Sequence, residues 1–153
     1  MIHLTSKLLQ VLEGKTLATA ESCTGGMIGQ LITAVPGSSA VYKGGIISYT
    51  NEIKHKLLGV DRTLLEKEGA VSAPVAKAMV QGARRALGAD IAVSVTGLAG
   101  PGGDDYGNPV GTVYIGYADD RGAEVLCFHF VGDRDSVRNQ ATEAALRIVL
   151  SKN

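Results

Sequence analysis

The stretch TLATAESCTGGMIGQLITAVPG, residues 16–37, decides the fold class. Thr16 to Ala20 is short and built mostly of small residues, and it reads as a strand. A turn follows and opens a helix from about Gly25 to Val35, which Pro36-Gly37 stops. The rest of the chain repeats this alternation of strand and helix. Upstream, Leu4, Leu8, Leu9, Val11 and Leu12 form one helical face that Gly14 closes. Downstream, Gly45 to Tyr49 (GIISY) reads as a buried strand. Asn51 then caps a short helix carrying Ile53, Leu57 and Leu58 and ending at Gly59.

Asp61 starts another short helix to about Glu68, and Ser72-Ala73-Pro74 opens a longer one that runs to Leu87 and stops at Gly88. Ile91 to Val95 (IAVSV) is an apolar strand, followed by the glycine-rich loop Thr96 to Pro109. Thr112–Ala118 and Glu124–Val131 read as strands joined by Asp119-Asp120-Arg121-Gly122, an antiparallel hairpin. A last helix spans about Asp133 to Leu150, with Val137, Ala141, Ala144, Ala145 and Ile148 on one side. The pattern predicts an α/β protein of one domain, 1–153, with a mixed central sheet between helices in a three-layer α/β/α arrangement.

Composition narrows the function classes. Glycine supplies 20 of 153 residues, about twice the usual ~7% and without a G-X-Y period, so the chain is not collagen-like. Lys plus Arg and Asp plus Glu each number 15, a balance that argues against disorder and against nucleic acid as a partner. The two cysteines, Cys23 and Cys127, are far apart and form no C-x-x-C pair. The three histidines, His3, His55 and His129, show no metal spacing. His129 alternates with Phe128 and Phe130 and faces away from them. The N-terminal residues lack the features of a signal peptide, and no run of apolar residues is long enough for a membrane span. A cytoplasmic protein with no membrane partner is expected.

Three loops carry candidate chemistry. In Ala20-Glu21-Ser22-Cys23-Thr24-Gly25-Gly26, Ser22 stands at a strand-to-helix turn where backbone N–H groups favour an anion or oxyanion. The same residues also read as a plain helix cap, and the G-x-S-x-G pattern is absent. In Ser48–Lys54, Tyr49 ends the apolar strand and Lys54 sits near a helix start, where a cation is disfavoured. Lys54 reads either as an exposed lysine or, if burial lowers its pKa toward 7–8, as a general base for serine. An unshifted lysine is neutral only about once in 2,500 molecules at pH 7. The loop Thr96–Pro109 can cradle a phosphate or ribose, yet it is neither Walker A nor G-x-G-x-x-G. Its Asp104-Asp105 reads as a metal ligand pair or a solvated acidic turn. Arg134 and Arg138 share a face of the last helix and could grip a phosphate, or pair locally with Asp133, Asp135 or Glu143.

Taken together, AESCTGG (20–26), PGSSAVYKGGIISYTNEIKHKLLGV (36–60), GAVS (69–72), TGLAGPGG (96–103), PVGTVYIGY (109–117) and GDRDSVRNQAT (132–142) closely resemble the CinA C-terminal domain family, in order and over nearly the whole chain. The resemblance implies a stand-alone form of the domain. It also implies a nicotinamide-nucleotide amidase that converts nicotinamide mononucleotide to nicotinate mononucleotide and ammonia without metal or organic cofactor. By the same likeness Ser22 is the nucleophile, Lys54 and Tyr49 replace a histidine base, and Ser39 is an orienter or relay. Thr96, Gly97 and Gly100 fall in the substrate loop, Thr24, Gly25 and Gly26 line the oxyanion turn, and Arg134 or Arg138 holds the 5′-phosphate. A phosphorylated nucleotide is the implied small-molecule partner, and a homo-oligomer, with a dimer favoured, is implied as well. The competing expectations are a non-catalytic nucleotide-binding or regulatory module and an amidase for a related amide. Cys23 is the rival nucleophile.

Overall fold

The computed structural model describes residues 1–153. The elements run α1 (Ile2–Val11), β1 (Leu17–Glu21), α2 (Met27–Thr33), a 3-10 turn (Ser38–Ala40), β2 (Tyr42–Ile47), α3 (Asn51–Leu58), α4 (Arg62–Glu68), α5 (Ala73–Leu87), β3 (Ile91–Gly97), β4 (Thr112–Asp119), β5 (Gly122–His129) and α6 (Arg134–Ser151). The strands order β2-β1-β3-β4-β5. β1 pairs in parallel with β2 and β3, while β3–β4 and β4–β5 are antiparallel. The sheet is therefore mixed, as the sequence pattern predicts.

The two faces of the sheet differ in side-chain size. Strand alternation sends Leu17, Ile91, Val93, Val95, Val113, Ile115 and Tyr117 to one face. There they pack with Leu8 and Leu12 of α1, Ile28 and Ile32 of α2, and Val137, Ala141 and Leu146 of α6. The other face carries Ala18, Ala20, Ala92 and Ala118 beneath α3, α4 and α5. Small residues let α5 settle close to the strands. Ser94 Oγ reaches Ala76 O at 2.8 Å, and a Cβ at Gly116 would lie 2.9 Å from the same carbonyl.

Three local expectations shift. β2 starts at Tyr42 rather than Gly45 and stops at Ile47, with the Ser48 N–H to Glu21 O bond at 2.7 Å as the last one across the β1–β2 pair. Thr50, not Asn51, caps α3: its backbone is extended and its hydroxyl accepts the Ile53 N–H, while Asn51 is already helical. β5 begins at Gly122 because the hairpin pairs down to Asp119↔Gly122, leaving only Asp120 and Arg121 in the turn. His129 is exposed, and the rings of Phe128 and Phe130 stack with centroids 5.2 Å apart.

The parallel strands set where a site can form. The chain leaves the C-terminal end of β1 for α2 on one face, whereas the adjacent strands β2 and β3 are linked through α3–α5 on the other. Such a divergence of connections opens a crevice beyond the strand ends. Close packing of α3 on α5 supports its floor. A Cβ on Gly82 would lie 2.0 Å from Leu58 O. Gly82→Ala is therefore expected to lose about 1–3 kcal/mol in urea denaturation, and more than the loss in Gly88→Ala, where only a positive φ is strained. Equal or smaller loss at Gly82 would contradict this packing.

Candidate active site

The crevice is a cavity of about 490 Å3, within the size range of small-molecule sites. Ser22, Cys23, Tyr49, Lys54, Thr96, Gly97, Gly100 and Arg134 are among its lining residues, with Ala70, Val71 and the Leu98–Gly102 backbone between them. A larger surface hollow near Arg84 and Arg121, about 670 Å3, lies at the hairpin end of the molecule and contains none of these groups.

Lys54 is 1% exposed. Its Nζ donates to Ser22 Oγ at 3.0 Å, Ser48 O at 2.8 Å and Tyr49 O at 3.2 Å. All three partners are uncharged, and none of the ion pairs in the structure involves Lys54. Burial without a counter-charge lowers the ammonium from its ordinary 10.5 to about 8. At pH 7 about one molecule in ten then carries a neutral amine, several hundredfold more than for an unshifted lysine. A neutral amine keeps two N–H groups for the two carbonyls and turns its lone pair to the Ser22 hydroxyl. That is the geometry of a general base. Of the two sequence readings of Lys54, exposed or buried, the structure shows the buried one.

Cys23 lies next to Ser22 but in a different state. Burial pushes its thiol up to about 11, so it is protonated near neutrality and a poor nucleophile. Lys54 Nζ makes its hydrogen bond to Ser22 Oγ and none to Cys23.

The turn after β1 is held from inside. Glu21 is 2% exposed, and its carboxylate accepts from Thr24 Oγ1 (2.7 Å), Gly26 N (3.1 Å), Ile28 N (3.0 Å) and Gly29 N (3.1 Å). The start of α2 is thus already satisfied by a side-chain anion. Gly25 N donates to Ser22 O at 3.1 Å. The expectation that Gly25 and Gly26 N–H groups face a substrate oxyanion is corrected: both are occupied, and Thr24 Oγ1 serves Glu21.

Other expected residues are also relocated. Tyr49, implied by the resemblance to replace a histidine base together with Lys54, offers Lys54 Nζ its backbone carbonyl, while its hydroxyl accepts from Arg134 Nη2 at 3.1 Å. Ser39 is not in the site. It is exposed in the turn before β2, beside the start of β1, whereas Ser22 follows the end of β1. Five strand residues at ~3.3 Å each separate the two levels by about 16 Å. Arg138 does not line the cavity; it donates from Nε to Cys23 O at 2.9 Å and from Nη2 to Thr24 O at 3.3 Å. Arg134 does line it, and its Nη1 donates to Gly100 O at 2.7 Å. Thr96 Oγ1 donates to Ala70 O at 2.8 Å and ties the cavity wall to β3. Asp104 accepts from Tyr106 N and from the backbone and side chain of Asn108, which shapes its loop as an acidic turn. Tyr106 Oη in turn donates to Glu66 O at 2.7 Å.

The chain is thus a three-layer α/β domain with a buried serine–lysine pair at a strand switch point. Residues 2–152 match the family model described as CinA C-terminal domain, and the chain belongs to that family. A CinA-like protein of Geobacter sulfurreducens is 52% identical over 134 residues, covering 88% of this chain and 32% of that protein. Another, of Geobacter sp., is 56% identical over 125 residues, covering 82% and 30%. The chain therefore spans about a third of these curated relatives. Among solved structures, a competence-damaged protein (CinA) superfamily protein from Escherichia coli superposes with a TM-score of 0.97 at 35% identity, covering 100% of this chain and 91% of that one. The competence damage-inducible protein A from Klebsiella pneumoniae gives 0.96 at 34%, covering 99% and 95%. No helix here is long and apolar enough to cross a membrane.

The lysine's titration has a thermodynamic signature. Unfolded Lys54 holds its proton up to 10.5, and folded Lys54 releases it near 8. Between those values the unfolded chain binds more protons, so the charged lysine costs stability below pH 8 and the cost fades as pH rises toward 10.5. Lys54→Met removes the cost at every pH. The stability of wild type relative to Lys54→Met is expected to rise by about 3 kcal/mol from pH 7 to above 10 in urea melts. A difference independent of pH would mean the ammonium is not depressed.

Proposed function

We propose that the chain is a serine amidase acting on nicotinamide mononucleotide. One observation carries the chemistry: a buried lysine nitrogen with no counter-charge lies 3.0 Å from Ser22 Oγ. Binding alone has no use for a lysine stripped of solvent, which is why catalysis is favoured over a non-catalytic nucleotide module. The substrate follows from the motif resemblance, supported by a cavity that joins the nucleophile to one cation at its rim, Arg134.

Neutral Lys54 takes the Ser22 proton as Oγ bonds to the carboxamide carbon. The tetrahedral adduct collapses, the C–N bond breaks, and the Lys54 ammonium returns its proton to the leaving nitrogen, which departs as ammonia. Water then attacks the acyl ester while Lys54 accepts its proton. The carbon–Oγ bond breaks, Ser22 regains a proton, and nicotinate mononucleotide leaves as the carboxylate. Tyr49 and Ser48 act through their carbonyls by aiming Lys54. Arg134 is placed to receive the 5′-phosphate with its remaining N–H groups.

Ammonia and nicotinate mononucleotide released from nicotinamide mononucleotide test the reading directly. Ser22→Ala and Lys54→Met should lose at least about a thousandfold in kcat, while Cys23→Ala stays active. Retained activity in Ser22→Ala with loss in Cys23→Ala would reverse the assignment. The value of kcat/KM should climb with pH to a plateau through an apparent pKa near 8. A profile flat from pH 6 to 9 would remove Lys54 as the base. Arg134→Met should raise KM about 10–100-fold for the mononucleotide but not for the riboside, which lacks the phosphate. An equal effect on both substrates would free Arg134 of that role.

A further inference from the structure

Arg138 belongs to α6, 115 residues from the turn it touches, and its guanidinium meets only backbone there. Two peptide planes of the nucleophile turn are fixed by their carbonyls. Cys23 O accepts from Arg138 Nε at 2.9 Å, and Ser22 O accepts from Gly25 N at 3.1 Å. In a trans peptide the carbonyl and the following N–H lie in one plane and point in opposite directions. Holding Cys23 C=O therefore aims Thr24 N–H away from Arg138, and holding Ser22 C=O aims Cys23 N–H in the same manner.

Neither of these N–H groups donates to another residue, whereas those of Ser22, Gly25, Gly26, Met27, Ile28 and Gly29 are all engaged. A cation on a carbonyl also draws electron density from the amide and strengthens its N–H as a donor. Gly25 keeps the guanidinium's place open. Its φ is +60°, and a Cβ there would lie 3.3 Å from Arg138 Nη2.

We infer that Arg138 is a positioning residue that orients and polarises an oxyanion-binding pair, the Cys23 and Thr24 N–H groups beside Ser22, and is not a ligand of the substrate phosphate. The inference rests on the amidase reading for its assay, but it makes a claim of its own about Ser22 reactivity. Removing one oxyanion donor outright costs about 10²–10³ in kcat, so loosening a pair is expected to cost about 10–100-fold.

Arg138→Met should then lower kcat for nicotinamide mononucleotide about 10–100-fold with KM changed less than about threefold, and by the same factor for the riboside. Arg138→Lys, which can still reach one carbonyl, should recover part of kcat. A fluorophosphonate probe that phosphonylates Ser22 Oγ places an oxygen in the same hole without needing the nucleotide. Its labelling rate should fall in parallel with kcat, and circular dichroism confirms that each variant is folded. If Arg138→Met does not fold, the Arg138→Lys deficit in kcat and labelling carries the comparison. A raised KM at unchanged kcat, or an unchanged labelling rate, overturns the inference. Wild type that labels at Ser22 but releases no ammonia overturns the amidase reading alone, and the labelling comparison still decides the role of Arg138.

Discussion

A lysine ammonium sealed from water and faced by neutral oxygens only is the constraint around which this site is arranged. Three acceptors must converge on Nζ at once, and they come from separate places: Ser22 beyond β1, Ser48 and Tyr49 beyond β2, with Lys54 itself on α3. Parallel pairing of Glu21 with Ile47 brings the two strand ends level, and the Thr50 cap starts α3 directly after them. A slip of one residue would turn the side chains of β2 to the opposite face and break the convergence. Gly82 of α5 gives the lysine helix its close seat, because Leu58 O of α3 lies where a Cβ would stand.

The buried carboxylate of Glu21 is the counterpart that Lys54 never meets. Strand alternation carries Glu21 to the side of α2, while Lys54 approaches from α3 on the opposite face. Each buried charge is therefore solvated by dipoles of one kind: N–H groups and a hydroxyl for the anion, oxygens for the cation. Direct pairing would hold Lys54 protonated and remove it as a base. Separation across the sheet leaves Glu21 to hold the start of α2 and leaves Lys54 a titratable amine.

Much of this was legible in the residues. The strand–helix alternation, the hairpin and the glycine stops predict the three layers, and the Ser22 and Lys54 motifs lead to the pair that meets. Tyr49 was legible as a position but not as a role, because a backbone carbonyl leaves no trace in side-chain chemistry. Ser48 escaped for the same reason, though it immediately follows an apolar strand. Ser39 was misplaced by motif proximity. It precedes β2, and residues before and after parallel strands lie at opposite sheet ends. Arg138 carried a readable charge but not a readable target, since its partners lie 114 and 115 residues away. Glu21 left one signal, an acid closing a strand of small buried residues, where a charge requires several donors.

The dependence of the nucleophile turn on α6 gives the fold an order of assembly. β1, α2, β2 and α3, which carry Ser22 and Lys54, are made early. The carbonyls of Cys23 and Thr24 must wait until α6 has been synthesised and has docked on the sheet face shared with α1 and α2. A nascent chain therefore contains Ser22 well before it has a settled turn around it. The contacts that close the turn span most of the chain, so the turn is a late product of folding by sequence separation alone.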